Sequence, residues 1–272
     1  MSDPALVLRI ERAWAVQETA FAAALARHDP TWGTQAAPIA DGVAVLCGPG
    51  LFLNRVLGSG LEADLDDRHL DELERLAADV RVVPAVEVCE ATRPSVVDLL
   101  TRRGYAPADT TSALAFSLTD PVPPAEPDAD VELERVTDDT LPTWQEATAL
   151  GWGLTDPGPR RASDAFATAA HAADRPGLLL ARSASDGRVL GCASLRIGGD
   201  VATLGGASTL PAERRTGVQR ALIDHRLRLG HEAGCTLATT AAEPGSASER
   251  NLLRAGFAIT HTKTTYELGA NR

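Results

Sequence analysis

The sequence predicts an α/β (α+β) chain: a mixed, mostly antiparallel central sheet flanked by helices, laid out in two domains. Three observations carry this reading. From residue 129 onward, apolar runs of strand length alternate with longer segments whose apolar residues recur at helical spacing. The turn Gly198-Gly199-Asp200 joins two of the apolar runs as a hairpin, which makes that pair antiparallel. Between the halves lies Asp120-Pro-Val-Pro-Pro-Ala-Glu-Pro-Asp128, whose prolines lack an N–H and favour an extended connector. The boundaries are therefore 1–119, a linker 120–128, and 129–272.

In the first half, residues 5–27 have Leu6, Ile10, Trp14 and Phe21 among their apolar positions and read as a helix packed on a core. Residues 48–60 read as a strand leading into a loop, with Asn54 and Arg55 between Leu53 and Val56. Asn54 is a candidate to reach a substrate. In the second half a strand at 131–136 precedes helices at 141–150 and 163–173. Strands at 177–181, 189–197 and 201–210 follow. A helix at 218–230, a strand at 235–241, a helix at 247–255 and closing strands near 257–268 complete the set. Ser246 or Ser248 suits the N-cap of the last helix, and Gly256 suits its C′ position.

Composition removes several function classes. A net charge of −11 and a pI near 5.0 argue against a nucleic-acid partner, whose phosphates need a basic surface. Cys47, Cys89, Cys192 and Cys235 show no Cys-x-x-Cys spacing and no paired histidines, so neither a metal site nor a disulfide framework is expected. No apolar run approaches a membrane span and no basic-then-apolar leader opens the chain, which points to the cytoplasm. Lys263 is the only lysine; nearly all positive charge is arginine.

The most informative stretch is Thr209-Leu-Pro-Ala-Glu-Arg-Arg-Thr-Gly-Val-Gln-Arg220. It runs from a strand through a basic loop into a helix that opens at Val218. The first turn of a helix has unpaired N–H groups and positive potential, so this order builds an anion site. Gly217 lets backbone approach a ligand closely, Arg214, Arg215 and Arg220 add charge, and Thr216 lies within the loop. A pyrophosphate suits such a place.

The spacing Arg214-x-x-Gly217-x-Gln219 resembles the acetyl-CoA signature of the GNAT N-acetyltransferases, Arg/Gln-x-x-Gly-x-Gly/Ala. Gln219 departs from its last position, which is tolerable where only the backbone N–H is used. A second stretch, Gly245-Ser-Ala-Ser-Glu-Arg-Asn-Leu-Leu-Arg-Ala-Gly-Phe257, resembles the family's later motif, a helix facing the CoA arm and closed by Gly-Phe. The resemblance covers residues 129–268. It implies acetyl-CoA as acyl donor, with its pyrophosphate on residues 215–220. Backbone N–H groups near Thr209 and Leu210 would polarise the thioester, and Ser248 and Asn251 would meet the pantetheine arm. It also implies that the helix and loop at 141–156 line the acceptor pocket, where Trp152 stands between two glycines.

The first half carries a faded copy. Leu99-Leu-Thr-Arg-Arg-Gly-Tyr105, followed by a strand, echoes Asn251-Leu-Leu-Arg-Ala-Gly-Phe257. The same offset sets Glu62-Ala-Asp-Leu-Asp-Asp67 against Arg214–Gln219, replacing a basic loop by one whose carboxylates repel a pyrophosphate. The expected architecture is thus two GNAT-like domains in tandem, the first degenerate.

The catalytic groups depart from the family. Its tyrosine, four residues before the Gly of Gly-Phe, is Leu252 here, leaving Tyr266, His261 and Ser248 as candidate acids. No Asp or Glu stands within 201–210, so a base would come from Glu146, Asp156, His171, water or the first domain. The expected function is acetyl transfer from acetyl-CoA to an amine of a small molecule, by direct attack, in a monomer or homodimer. The alternatives are an inactive acyl-CoA sensor or scaffold and a protein or peptide N-acetyltransferase.

Overall fold

The computed structural model describes residues 3–121, 130–173 and 177–269. Apart from Asp120 and Pro121, the expected linker lies outside the described residues. The chain begins with α1 (Pro4–His28), β1 (Gln35–Ile39), β2 (Gly42–Leu46), β3 (Asn54–Leu57), α2 (Asp67–Asp79), β4 (Ala85–Cys89), α3 (Pro94–Arg102) and β5 (Tyr105–Ser117). It continues with β6 (Val131–Arg135), α4 (Leu141–Trp152), α5 (Pro157–Ala173), β7 (Gly177–Ser183), β8 (Val189–Gly198) and β9 (Val201–Thr209). The last elements are α6 (Val218–Glu232), β10 (Leu237–Ala242), α7 (Ala247–Arg254) and β11 (Ala258–Leu268).

Two compact units result. One comprises Met1–Ala113, Ala242–Gly245 and Ile259–Arg272; the other comprises Leu114–Ala241 and Ser246–Ala258. This division differs from a cut at the linker. Most of β11 joins the first unit, where it pairs antiparallel with β4 from Lys263↔Cys89 to Glu267↔Ala85. Residues of β5 from Leu114 onward belong to the second unit. The sequence carries no local mark of either event, because an apolar alternating run reads as a strand wherever it pairs.

Each unit repeats one plan. In the first, β1-β2-β3 pair antiparallel, and β3 then meets β4 in parallel at Val56↔Val86. In the second, β6-β7-β8-β9 pair antiparallel, and β9 meets β10 in parallel from Val201↔Leu237 to Thr203↔Thr239. A helix joins each parallel pair, α2 in the first unit and α6 in the second, as a parallel crossover requires.

The first unit buries Leu70, Leu73, Val86 and Leu100 on one side of its sheet. It also buries a charged group. Lys263 is 1% exposed and makes ion-pair contacts with Glu87 at 2.5 Å and Glu11 at 3.3 Å, while its ammonium lies 3.8 Å from the centre of the Trp14 ring. Burial alone lowers a lysine pKa, but the carboxylates of Glu87 and Glu11 outweigh it and hold Lys263 above its ordinary value. The single lysine of the sequence is thus a core residue.

The loop between β3 and α2 closes on the unit's own carboxylates. Asp41 accepts hydrogen bonds from the amides of Gly60 at 2.6 Å, Leu61 at 3.1 Å, Glu62 at 2.6 Å and Ala63 at 3.1 Å. Asp66 caps α2, accepting from the His69 amide at 3.1 Å while His69 Nδ1 accepts from the Asp66 amide at 3.2 Å. The amides of residues 60–63 and of His69 are therefore already taken.

Partial burial raises the Asp41 pKa, but the amides of Glu62, Gly60 and Ala63 outweigh it and hold the carboxyl below its ordinary value. A lowered native pKa contributes stability that is complete above the unfolded value of ~3.9 and is lost as pH falls through the native value. Asp41→Asn is expected to cost about 1 kcal/mol in urea unfolding at neutral pH, small because the site is solvent-screened. The gap between the two proteins should close in acid. Equal midpoints at neutral pH would mean that the four amides do not depend on this carboxylate.

Candidate functional site

Beyond Thr203↔Thr239 the strands β9 and β10 part. At the divergence the Thr240 hydroxyl donates to the Leu204 carbonyl at 2.8 Å, and Gly206 takes φ 51, a left-handed conformation that glycine adopts at little cost. A cleft of 770 Å³ opens from this point, bounded by the end of β9, the loop to α6, and the first turns of α6 and α7.

The loop prepares amides for an anion. Gly217 holds the N-cap of α6 at φ 87 and ψ −9 with no side-chain hydrogen bond to the helix, so the first-turn N–H groups stay open to a ligand. Arg215 also has a positive φ, 72, a conformation costing a non-glycine residue about 1 kcal/mol. Thr216 fixes the turn by donating its hydroxyl to the Glu213 carbonyl at 2.7 Å.

Charge in the cleft opposes the charge of the chain. Arg214, Arg215, Arg220 and Arg254 line it, whereas Glu213 is its one carboxylate among the described residues and is paired with Arg188 at 3.2 Å. A local basic field inside an acidic protein favours an anion at this place. Three of the arginines are also held in position. Arg214 donates to the Gly151 carbonyl at 3.0 Å, Arg220 pairs with Asp224 at 2.7 Å, and Arg254 donates to Asn251 Oδ1 at 2.9 Å. The Asn251 amide in turn donates to Gln219 Oε1, tying α7 to α6.

Of the residues read from sequence, Thr209, Arg214, Arg215, Gly217, Val218, Gln219, Arg220, Ser248, Asn251 and Trp152 meet in this cleft. Trp152, at the end of α4, is half exposed and donates its ring N–H to the Ala207 carbonyl at 3.3 Å.

Others have a different place. Leu210 lines a separate cavity of 360 Å³ with Pro142 and Glu146, and its N–H is spent on the Leu190 carbonyl at 3.0 Å. Alternation along an antiparallel strand then turns the neighbouring Thr209 N–H away from β8, toward the parted strands. The free donor is therefore Thr209.

His261 and Tyr266 lie on β11 in the first unit. His261 is buried, with Nε2 2.8 Å from Glu11 Oε1 and Nδ1 3.0 Å from Thr260 Oγ1; Tyr266 packs on the apolar core. Asn54, also in the first unit, spends its side-chain amide on the loop before β3, accepting from the Cys47 and Gly48 amides and donating to the Gly48 and Leu51 carbonyls. Ser248 is the sole candidate acid in the cleft.

Two of the candidate bases are engaged elsewhere, and Asp156 is exposed and does not line the cleft. Glu146 pairs with Arg160 at 2.9 Å, and His171 sits 2.9 Å from Asp138. Burial pushes the Cys192 thiol up to about 12, so it supplies no thiolate. Among the described residues no cluster could hold a metal ion, and no helix is long and apolar enough to cross a membrane.

Sequence reasoning overlooked Arg254, Ile223 and Arg226. Arg254 follows Asn251 by one helical turn, and Ile223 and Arg226 follow Gln219 along one face of α6, so helical spacing alone gave the signal.

Close packing sets the entrance. A Cβ on Gly151 would fall 1.5 Å from Ser208 Oγ and 2.9 Å from Ser208 Cβ. Gly151→Ala is therefore expected to lower stability by about 1–3 kcal/mol in thermal or urea unfolding and to change Trp152 fluorescence. Adding Ser208→Gly should recover most of that loss. Unaltered stability in the single variant would mean that α4 and β9 are not held this closely.

The model of the Acetyltransferase (GNAT) family matches residues 134–257. Among curated proteins none matches the sequence. A GCN5-related N-acetyltransferase from Kribbella flavida has a similar fold, with TM-score 0.66 and 18% identity, covering 96% of this chain and 94% of that one. One from Sphaerobacter thermophilus gives 0.60 and 16%, covering 98% and 94%. A tandem GNAT protein from the clavulanic acid biosynthesis pathway gives 0.58 and 16%, covering 84% and 79%.

Proposed function

We propose that the cleft of the second unit takes acetyl-CoA and passes its acetyl group to an amine of a small molecule, a reading that the match of residues 134–257 to the GNAT acetyltransferase family model supports. The observation that carries this reading is the uncapped N-terminus of α6 beneath Gly217, ringed by Arg214, Arg215, Arg220 and Arg254. The amides of 215–220 hold the pyrophosphate, and Asn251 with Ser248 borders the pantetheine arm.

In the reaction the amine nitrogen attacks the thioester carbonyl carbon. A C–N bond forms, the C–S bond breaks, the thiolate of CoA leaves, and the amine proton passes to solvent. The Thr209 N–H is the donor to the developing oxyanion, because it faces the parted strands. Holding two reactants in attack geometry supplies much of the rate. A thiol with a pKa of ~8.5 leaves as the thiolate without obligatory protonation, so no acid is required where the family has tyrosine, and the Ser248 hydroxyl serves as a hydrogen-bond donor. The amine reaches attack through loss of its proton to water, since no unpaired carboxylate lines the cleft among the described residues. The buried, unbridged thiols Cys47, Cys192 and Cys235 support a cytoplasmic location.

Titration calorimetry with acetyl-CoA tests the reading. The expected result is one site, lost in Arg215→Glu and Gly217→Asp and kept in Asp41→Asn. Absence of binding to the folded protein would overturn the proposal. Binding without turnover over an amine panel would favour the sensor, and turnover of peptides alone would favour a protein acetyltransferase.

A further inference from the structure

A cavity of 210 Å³ lies beneath the cleft, walled by Leu204, Gly205, Thr240, Ala241 and Leu252, and sharing Gln219, Ile223, Ser248 and Trp152 with it or with its edge. Its floor is Arg226 of α6, 2% exposed. Three carbonyls hold the guanidinium: Nε donates to Leu222 at 2.9 Å, and Nη1 donates to Ser194 and to Gly205, each at 3.2 Å. Nη2 has no hydrogen-bond partner among the described residues, and no carboxylate pairs with Arg226. The buried arginine of this unit is thus an uncompensated cation on the wall of a hole.

Such a group is costly as structure alone. A charge taken from water without a counter-charge is strongly unfavourable, and carbonyls need only N–H donors, not a charge, to be satisfied. Burial does lower the Arg226 pKa, to about 10, yet it stays cationic at neutral pH. The missing partner is an anion with the fork geometry that a guanidinium matches. The cavity meets the cleft where β9 and β10 part, so a group on either reactant reaches it.

We propose that Arg226 receives a carboxylate carried by one of the two reactants, either the far end of a dicarboxylic acyl chain on CoA or the carboxylate of an amino-acid acceptor. This rests on the acyl-CoA reading of the cleft and adds to it the chemical class of substrate. Arg226 is a specificity residue here, and its pairing discriminates by leaving a buried cation unpaired when the carboxylate is absent.

Two arms separate the sources. In one, a simple alkylamine is offered with acetyl-CoA and with succinyl-CoA. In the other, acetyl-CoA is offered with phenylalanine against phenethylamine and with lysine against cadaverine. The wild type is expected to favour the carboxylate-bearing member in one arm by about tenfold or more in kcat/KM. Two variants place that preference at Arg226. Arg226→Gln removes the cation and leaves two N–H donors for the carbonyls. Ala241→Asp leaves Arg226 intact and puts a carboxylate in the cavity, so it tests the same point if the first variant does not fold. Both are expected to bring the ratio close to one. A wild type without preference in either arm, or a preference that survives both changes, overturns the inference. If calorimetry detects no acetyl-CoA binding, the reading of the cleft itself fails; binding with no preference leaves that reading standing and refutes only the role of Arg226.

Discussion

The second unit depends on how briefly β9 and β10 run together. Their parallel pairing ends at Thr203↔Thr239, and each later feature follows from the parting. It frees the outward N–H of Thr209, opens room beneath α6, and leaves Gly217 to start that helix with open amides. A strand pair that stayed zipped would satisfy these groups internally and bury the same residues as core. The cleft is therefore backbone geometry first, with arginine side chains arranged around it.

The first unit shows what the same plan becomes when its donors are consumed. Its parallel pair is also short, but Asp41 takes four successive amides and Asp66 caps α2. Carboxylates from the chain stand where a bound anion would. A buried ion group of Lys263, Glu11 and Glu87 then fixes β11 and β4 against α1. Removing Lys263 would leave two buried carboxylates without their shared cation, which costs far more than the group contributes net.

Much of the cleft was legible because its signals are local. A glycine that must take a left-handed φ, arginines beside it and a helix opening at the next residue are adjacent in sequence, so Arg214–Arg220 lie together at the head of α6, with Thr216 turned to the Glu213 carbonyl. Features set by pairing were not legible. His261 and Tyr266 follow the second motif closely in sequence, yet β11 carries them into the other unit's sheet. Leu210 and Thr209 differ by one position, and only the register with β8 decides which N–H is free. Asn54 looked like a polar group available to a substrate, whereas its loop consumes every donor and acceptor of its amide. Helix α2, with Leu70, Leu73 and Leu76 on one face, opens within an acidic run whose charges mask its apolar spacing.

Amide hydrogen exchange with and without acetyl-CoA tests the central claim most directly, because it reads the backbone donors themselves. Slower exchange at Thr209 and across residues 215–220, with residues 60–63 unchanged, is the expected result. Protection at 60–63, or none at 215–220 under saturating ligand, would contradict an acyl-CoA site at the head of α6.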